Sequence, residues 1–444
     1  MERFDVLVVG GSAGGLTAAI TARRHYPDVS IALVRKEKQV PIPCGIPYIF
    51  GTVGSPEKNL IPDDLLRQNR IHLLVDEVTT VDLENRVVRT VGGQSLGYRR
   101  LVLATGSEPL IPPIPGVELE NVLPVKKDVP HLGKMLEVLS QAERLVVIGG
   151  GFIGLEFADE CRKRGVQVAV VEMLPHCLSL VFDPDLCVRV EEELQRAGIQ
   201  LHTGTRARAF LGNGKVKAVQ LETGEEIPTD MVILGIGVRP STGLAREAGL
   251  STGEQGAIRV DRFMRTSDLH VFAVGDCATK VDAVTGKPTN LRLASIATAE
   301  ARVAGANLFQ LRREIRGTIG VFSTKIGSLA LGLAGYSEQR ARAEGIDYVV
   351  AQAEAVNRHP GAMPGAAPLR VKLVFHKWSR ELIGGQACCS ESVGELINII
   401  ACMIQSGVTA DRIATCQVGT HPALTASPIA YPLFNAAEMA LQQL

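Results

Sequence analysis

The chain is poor in several things, and each shortage removes a class of protein. Its formal charge is zero over 444 residues, aromatic residues make up 4% and there is a single tryptophan. No basic stripe is present to neutralise phosphates, and no polybasic segment to hold an anionic bilayer, so neither nucleic acid nor membrane is expected as a partner. No apolar run reaches the roughly 18 residues of a membrane span. The opening MERFDVLVVGG enters an apolar stretch at once, without the charged and apolar regions of a signal peptide. Cysteines at positions 44, 161, 177, 187, 277, 388, 389, 402 and 416 show no metal-ligand spacing and are odd in number. Reduced thiols of a cytoplasmic protein are therefore expected, with no resident metal and no disulfide framework.

What is present is 46% hydrophobic residues and 45 glycines, in a chain long enough for about three domains. Residues 4–9 are an apolar run interrupted only by Asp5, followed by Gly10, Gly11, Ser12, Ala13, Gly14 and Gly15 and then by helical composition. Strand, glycine turn and helix in that order bring backbone N–H groups to a pyrophosphate at a helix N-terminus. Ser12 takes the place of the middle fingerprint glycine. A second apolar run, 29–34, ends at Arg35, where a ribose-binding carboxylate is usual.

The same unit recurs in cleaner form. Residues 145–148 read as strand, Gly149, Gly151 and Gly154 match GxGxxG, 155–164 continue as helix, and strand 166–171 ends at Glu172. A carboxylate there accepts hydrogen bonds from both ribose hydroxyls and repels a 2′-phosphate, which favours NADH, with NADPH as the alternative. Segments 101–107 (LVLATGS, with Ala104, Thr105 and Gly106) and 232–240 (VILGIGVRP, with Gly237) are apolar runs ending in small-residue turns. In 270–278 (HVFAVGDCA), Gly275 and Asp276 follow an apolar strand, where a carboxylate binds a cofactor hydroxyl or caps the next helix. From about residue 318 the pattern changes to alternating strands, such as 369–376 and 382–387, a loop at 359–368 and an apolar helix at 392–406, which reads as an α+β module.

Between the nucleotide signals lies PIPCGIPYIF, residues 41–50. Pro41, Pro43 and Pro47 stiffen the backbone around Cys44, and Gly45 removes bulk beside the sulfur. A helix starting here would carry Pro47 in its first turn and set Cys44 near a positive dipole end, favouring thiolate; the alternative is a small buried thiol.

Two dinucleotide signals, the ATG and GD segments and this cysteine together resemble the FAD-dependent pyridine nucleotide-disulfide oxidoreductases over essentially the whole chain. The resemblance implies an α/β fold of two Rossmann-like dinucleotide-binding domains, the NADH domain inserted into the FAD domain, plus an α+β C-terminal dimerisation domain. The corresponding ranges are 1–113 with 245–317 for FAD, 114–244 for NAD(P)H and 318–444 for a homodimer interface. It implies that Gly10 to Gly15, the ATG turn and Asp276 hold FAD, and that Gly149, Gly151, Gly154 and Glu172 hold NADH. Glu156 matches a glutamate that pairs with a flavin-contacting lysine, whose expected place is taken by Thr52.

Glutathione reductase and dihydrolipoamide dehydrogenase carry a second cysteine where this chain has Ile49. The single Cys44 followed by GIPYIFG looks instead like the group of coenzyme A-disulfide reductases, NADH oxidases, NADH peroxidases and persulfide reductases. Oxidases and peroxidases of that group often carry histidine where this chain has Ala13, which favours a small-molecule disulfide, persulfide or polysulfide as substrate. Coenzyme A is implied as bound thiol or substrate, with Arg23 and Arg24 matching a phosphate-contacting pair; the alternative is two arginines favouring a helix dipole. His421 resembles a histidine that serves the active sulfur across the dimer, although Ala426 replaces the glutamate that orients it. Tyr431 falls near a tyrosine supplied by the other subunit. Three alternatives stay open: an NADH oxidase or peroxidase, a flavin reductase serving a protein partner, and a redox sensor without turnover.

Overall fold

The apolar run at the start becomes the strand Glu2–Val9 in the computed structural model, which describes all residues from Met1 to Leu444. Its side chains alternate between faces with the period of two that a strand imposes. Leu7 and Val9 join one buried cluster, while Val6 and Val8 join another on the opposite side. Each fully buried aliphatic of this kind contributes about 1.5–3 kcal/mol, so a strand apolar on both faces belongs in the middle of a covered sheet. The sheet order is His72–Val75, Ile31–Arg35, Glu2–Val9, Ser95–Leu103, Val87–Thr90 and Val78–Asp82, with Val271–Ala273 paired parallel to Ser95–Leu103. The helices Ala13–His25 and Ala294–Asn307 pack together, and Gly305 permits the approach, since a Cβ there would lie 2.7 Å from the Ala18 carbonyl oxygen.

Register brings the functional ends of this sheet level. Val9 pairs with Val34 and Leu103, and Leu103 pairs with Ala273. Gly10, Arg35, Ala104 and Val274 therefore leave four neighbouring parallel strands at their carboxyl ends, the edge at which such sheets bind ligands.

Two compact units make up the chain. The first comprises Met1–Pro112, Leu123–Gln141 and Ile236–Thr318; the second comprises Pro113–Val122, Ala142–Gly235 and Ile319–Leu444. The helix Val129–Gln141 packs on the turns Pro47–Phe50 and Pro56–Lys58 within the first unit. The second unit contains a parallel sheet in which Gln200–Thr203, Gln167–Glu172, Arg144–Ile148 and Met231–Leu234 are neighbours in that order. It also holds an antiparallel sheet of Val321–Ile326, Leu329–Gly335, Leu382–Cys388, Pro368–His376 and Tyr348–Val356. The helices Val393–Gln405 and Pro432–Leu441 cover that sheet, burying Val371, Leu373, Ile397 and Leu433 among others.

Candidate active site

Cys44 lies in a short 3-10 turn, Pro43–Gly45, and a second such turn, Pro47–Phe50, follows. The α-helix expected from Pro47 does not form, so the dipole argument for the thiol loses its basis; Pro47 does open the second turn. The thiol is exposed while Ile46, Ile49 and Phe50 point into the core, at 3%, 0% and 0% exposure. Apolar side chains thus anchor the loop from below and leave the sulfur outward. Ile42 N–H donates to the carbonyl of Asn59 at 2.8 Å, and Asn59 Nδ2 donates back to the carbonyl of Ile42 at 2.9 Å. A Cβ on Gly45 would come within 2.0 Å of Asn59 Oδ1. The glycine is therefore required by its neighbour Asn59.

In the first glycine turn Gly10 has φ +112°, and a side chain there would strike the Ala104 carbonyl oxygen at 2.2 Å. The GGSAGG turn and the ATG segment consequently pack backbone to backbone. Thr105 Oγ1 donates to the Ser241 carbonyl at 2.6 Å, and Leu110 N–H donates to the Gly237 carbonyl at 3.0 Å, which ties the VRP segment to the same turn. Ser12 precedes the helix Ala13–His25 but does not cap it with its side chain, so the first N–H groups remain available to an anion.

Arg35, at the usual acidic position, is buried and forms a two-pronged ion pair with Asp63 at 2.7 and 2.9 Å. It also donates to the carbonyls of Glu37 and Lys38. A carboxylate therefore reaches this end of the sheet after all, carried by a loop on which no sequence signal fell. Asp276 accepts from Ser107 Oγ at 2.6 Å and pairs with Lys127 at 3.3 Å, both through Oδ2. Burial works to raise its pKa, but Lys127 and Ser107 outweigh burial and hold the carboxyl below its ordinary range. Behind it, buried Lys280 donates to the carbonyls of Gly275 and Ala278, and Glu300 accepts the Gly275 N–H at 2.7 Å. Burial pushes the Glu300 carboxyl up to about 7.

The second glycine turn repeats the construction. Gly149 has φ +107° and receives its register from a 2.8 Å bond to the Val171 carbonyl. A Cβ on Gly154 would lie 2.0 Å from the Gly149 oxygen, whereas one on Gly151 would meet nothing within 4 Å. Gly151 precedes the helix Phe152–Arg162 without a side-chain cap, which leaves N–H groups facing open space. Glu172 accepts N–H groups from Gly150 at 2.6 Å and from Leu174 at 2.7 Å, one on each oxygen. The side chain thereby shapes the turn beside the glycine loop.

Other expected residues fall in different settings. Arg23 donates to four backbone carbonyls, those of Asn69, Pro27, Val29 and Arg70, at 2.7–3.0 Å. Its guanidinium ties the end of its helix to two loops, whereas Arg24 is exposed. Glu156 accepts from Thr324 Oγ1 at 2.8 Å, and burial, with Glu160 nearby, pushes its carboxyl up to about 7. His421 is exposed, and the Ala423 N–H donates to its Nδ1 at 3.2 Å, so the neutral ring carries its proton on Nε2. In this loop the backbone sets the tautomer that a glutamate at position 426 would otherwise set, and Ala426 is buried at 2%. His359 holds the loop through an N–H to the Pro422 carbonyl at 3.0 Å and a contact from Nδ1 to the Thr425 carbonyl at 3.1 Å. Tyr431 stacks on Phe434 with ring centres 4.9 Å apart, and burial raises its phenol pKa.

Comparison with known proteins gives this geometry a family. Residues 4–301 match the pyridine nucleotide-disulphide oxidoreductase family, and residues 321–429 match the dimerisation domain of the same family. A protein of Methanocaldococcus jannaschii named NADH oxidase is 33% identical over 99% of both chains. A Pyrococcus furiosus protein named NAD(P)H sulfur oxidoreductase (CoA-dependent) is 32% identical over 92% of this chain and 93% of that one. Among solved structures, the NAD-dependent persulfide reductase of A. fulgidus superposes with a TM-score of 0.91 at 32% identity, covering 99% of this chain and 83% of that one. No helix is long and apolar enough to cross a membrane. The chain belongs to the pyridine nucleotide-disulphide oxidoreductases, enzymes that work with FAD and NAD(P)H.

Proposed function

We propose that the chain is an NADH-dependent flavoprotein reductase whose single loop cysteine, Cys44, reduces small-molecule disulfides, persulfides or polysulfides, coenzyme A-linked species among them. The observation that carries this reading is the exposed Cys44 on a braced loop, with the fully buried Ile49 where a disulfide partner would stand. The sulfur faces outward and its neighbours hold it still. Ala13 in the first glycine turn further favours sulfur over peroxide as acceptor.

The residues fit the two cofactors. Gly10 to Gly15, the ATG turn, Gly237, Gly275 and Asp276 would hold FAD, since they offer uncapped N–H groups and a carboxylate at the ends of the parallel strands. Gly149, Gly151, Gly154 and Glu172 would hold NADH at the second open turn. Bound FAD supplies the two-electron relay between nicotinamide and thiol. Cys44 as thiolate attacks an S–S bond of the substrate, and the released thiolate needs a proton. The dimerisation region supports a homodimer, in which His421 Nε2–H or the Tyr431 hydroxyl of one subunit serves Cys44 of the other. Arg24 is left as the cation for coenzyme A phosphates. We assign 318–444 as the dimerisation domain, which the match at 321–429 supports, and the cofactor domains as expected from the sequence.

Anaerobic titration of the purified yellow protein with NADH, followed by mass spectrometry of small thiols released, tests this reading. Uptake of more than one two-electron equivalent, with release of a thiol such as coenzyme A, supports a redox-active Cys44. Uptake of one equivalent with nothing released, together with slow turnover of every disulfide and persulfide tried, overturns it. A second reading, NADH oxidase, is favoured by the name of the relative with 33% identity. Rapid NADH-dependent oxygen consumption that survives excess sulfur substrate would put it first.

A further inference from the structure

Far along the chain from Cys44, two cysteines stand side by side at the end of a strand of the second unit. Cys388 closes the strand Leu382–Cys388 and is buried, while Cys389 follows it and is half-exposed. Their sulfurs lie 2.7 Å apart. Arg189, on the helix Pro184–Arg196, brings Nη1 to 2.9 Å from Cys389 Sγ and 3.9 Å from Cys388 Sγ. Cys389 has φ +93°, a backbone conformation that a side chain rarely adopts, and its N–H is fixed to the Ala330 carbonyl at 2.9 Å. The strained turn aims two adjacent sulfurs at one another beneath a guanidinium.

The chemistry of the pair is asymmetric. The hydrogen bond from Cys388, followed by the charges of Arg189 and Arg370, lowers the Cys389 thiol despite burial. The same hydrogen bond and burial push the Cys388 thiol up. The other buried thiols, Cys161, Cys177, Cys187 and Cys277, are all pushed up by burial. Glu354 faces the same cations, pairing with Arg370 at 2.9 Å.

We infer that Cys388 and Cys389, with Arg189, form a second reactive sulfur centre, at which Cys389 captures an electrophilic small-molecule disulfide and Cys388 resolves the adduct into a reversible vicinal disulfide. In the first step Cys389 thiolate attacks one sulfur of RS–SR, forming a Cys389–SR bond and breaking the substrate bond. One RS⁻ leaves and takes a proton from solvent. In the second step Cys388 loses its proton to solvent and attacks Cys389 Sγ, forming the Cys388–Cys389 bond and releasing the second RS⁻. The protein pair gives up two electrons and two protons, and the substrate becomes two thiols.

Adjacent residues have Cα atoms about 3.8 Å apart across a trans peptide, closer than the usual range of a disulfide. Such a bond is strained and easily reduced. The centre therefore suits transient oxidation rather than permanent cross-linking. It does not depend on Cys44, which sits in the other unit.

The test uses the full-length, FAD-loaded protein, reduced with dithiothreitol, desalted and exposed to about a tenfold excess of glutathione disulfide, with a Cys44→Ser protein in parallel. Alkylation and tryptic mapping follow. The peptide 381–412 contains Cys388, Cys389 and the exposed Cys402, which serves as an internal control. The expected peptide is two mass units light and carries a single alkyl group, on Cys402, in both proteins. Cys388→Ser should instead hold a glutathione adduct on Cys389, and Cys389 should alkylate at least tenfold faster than Cys402 in the untreated protein. Alkylation of all three cysteines after glutathione disulfide treatment of the natural chain, or equal alkylation rates for Cys389 and Cys402, overturns the inference whether or not either variant folds.

Discussion

Asn59 Nδ2 donates to the Ile42 carbonyl at 2.9 Å, and the same side chain fills the space beside Gly45 that a Cβ would need. The loop carrying Cys44 is thus held by a residue that follows it in the chain, not by its prolines alone. Asn59→Ala removes a buried donor and should cost about 1–3 kcal/mol, seen as a lowered Tm, while raising the alkylation rate of Cys44 several-fold. Gly45→Ala should destabilise through the 2.0 Å approach to Asn59 Oδ1. The double variant should be less damaged than the sum of the two, because the smaller residue at 59 vacates the space the new methyl needs. Strict additivity in a thermal-denaturation cycle would show that the two residues do not share that space.

Cys44→Ser separates electron entry from sulfur reduction. The two glycine turns are held by their own backbone contacts and by Glu172, so NADH should still bleach the flavin absorbance at a rate within about threefold of the parent. Disulfide and persulfide turnover should fall by at least about 10³-fold, since a serine hydroxyl is neither a thiolate nor able to form the mixed disulfide. Full turnover in the serine protein would move the chemistry away from Cys44.

Glu172 holds the second glycine turn through two backbone donors, so its replacement tests recognition and shape together. Glu172→Gln removes the negative charge with little change in volume. It should lower the ratio of kcat/KM for NADH over NADPH by about tenfold, equivalent to 1.4 kcal/mol, mostly by admitting the 2′-phosphate. Glu172→Ala should lose NADH affinity as well, because the turn loses the acceptors for Gly150 and Leu174. An unchanged nucleotide preference in the glutamine variant would remove Glu172 from the ribose site.

The two strand–turn–helix units were legible because their signals are local: an apolar run, glycines where side chains would strike a carbonyl, and a helix directly after. Strand 145–148 is seen as Arg144–Ile148 and helix 155–164 as Phe152–Arg162, shifts of a few residues at the ends. The C-terminal strands and the helix Val393–Gln405 were legible from alternation and apolar period in the same way. Asn59, Asp63 and Lys127 were not, since each reaches its partner across a fold and carries no periodic mark. Arg23 is a different case. Its charge is visible in the sequence, but the four carbonyls that engage it belong to loops whose paths only the tertiary structure defines. The helix expected at Cys44 did not form because closely spaced prolines, each lacking an N–H, favour short 3-10 turns over a continuous ladder.

Glu156 offers a prediction in which the sign of the pH effect can be fixed beforehand. Its carboxyl is raised from 4.5 to about 7, chiefly by burial, against the opposing hydrogen bond from Thr324. The folded protein therefore keeps a proton that the unfolded chain releases near 4.5. Between about pH 4.5 and 7 the unfolded state binds fewer protons at this position, so the contribution to stability falls as pH rises, and above pH 7 the loss is complete. Asp276, held below its ordinary range, contributes the opposite slope at lower pH, so the two windows separate. Glu156→Gln keeps an acceptor for Thr324 and has nothing to ionise. Thermal denaturation of the holoenzyme between pH 5 and 8 should show the natural chain losing Tm relative to the glutamine variant as pH rises. Parallel curves for the two proteins across that window would mean that Glu156 is ionised throughout, and that the site around Thr324 is wetter than its packing implies.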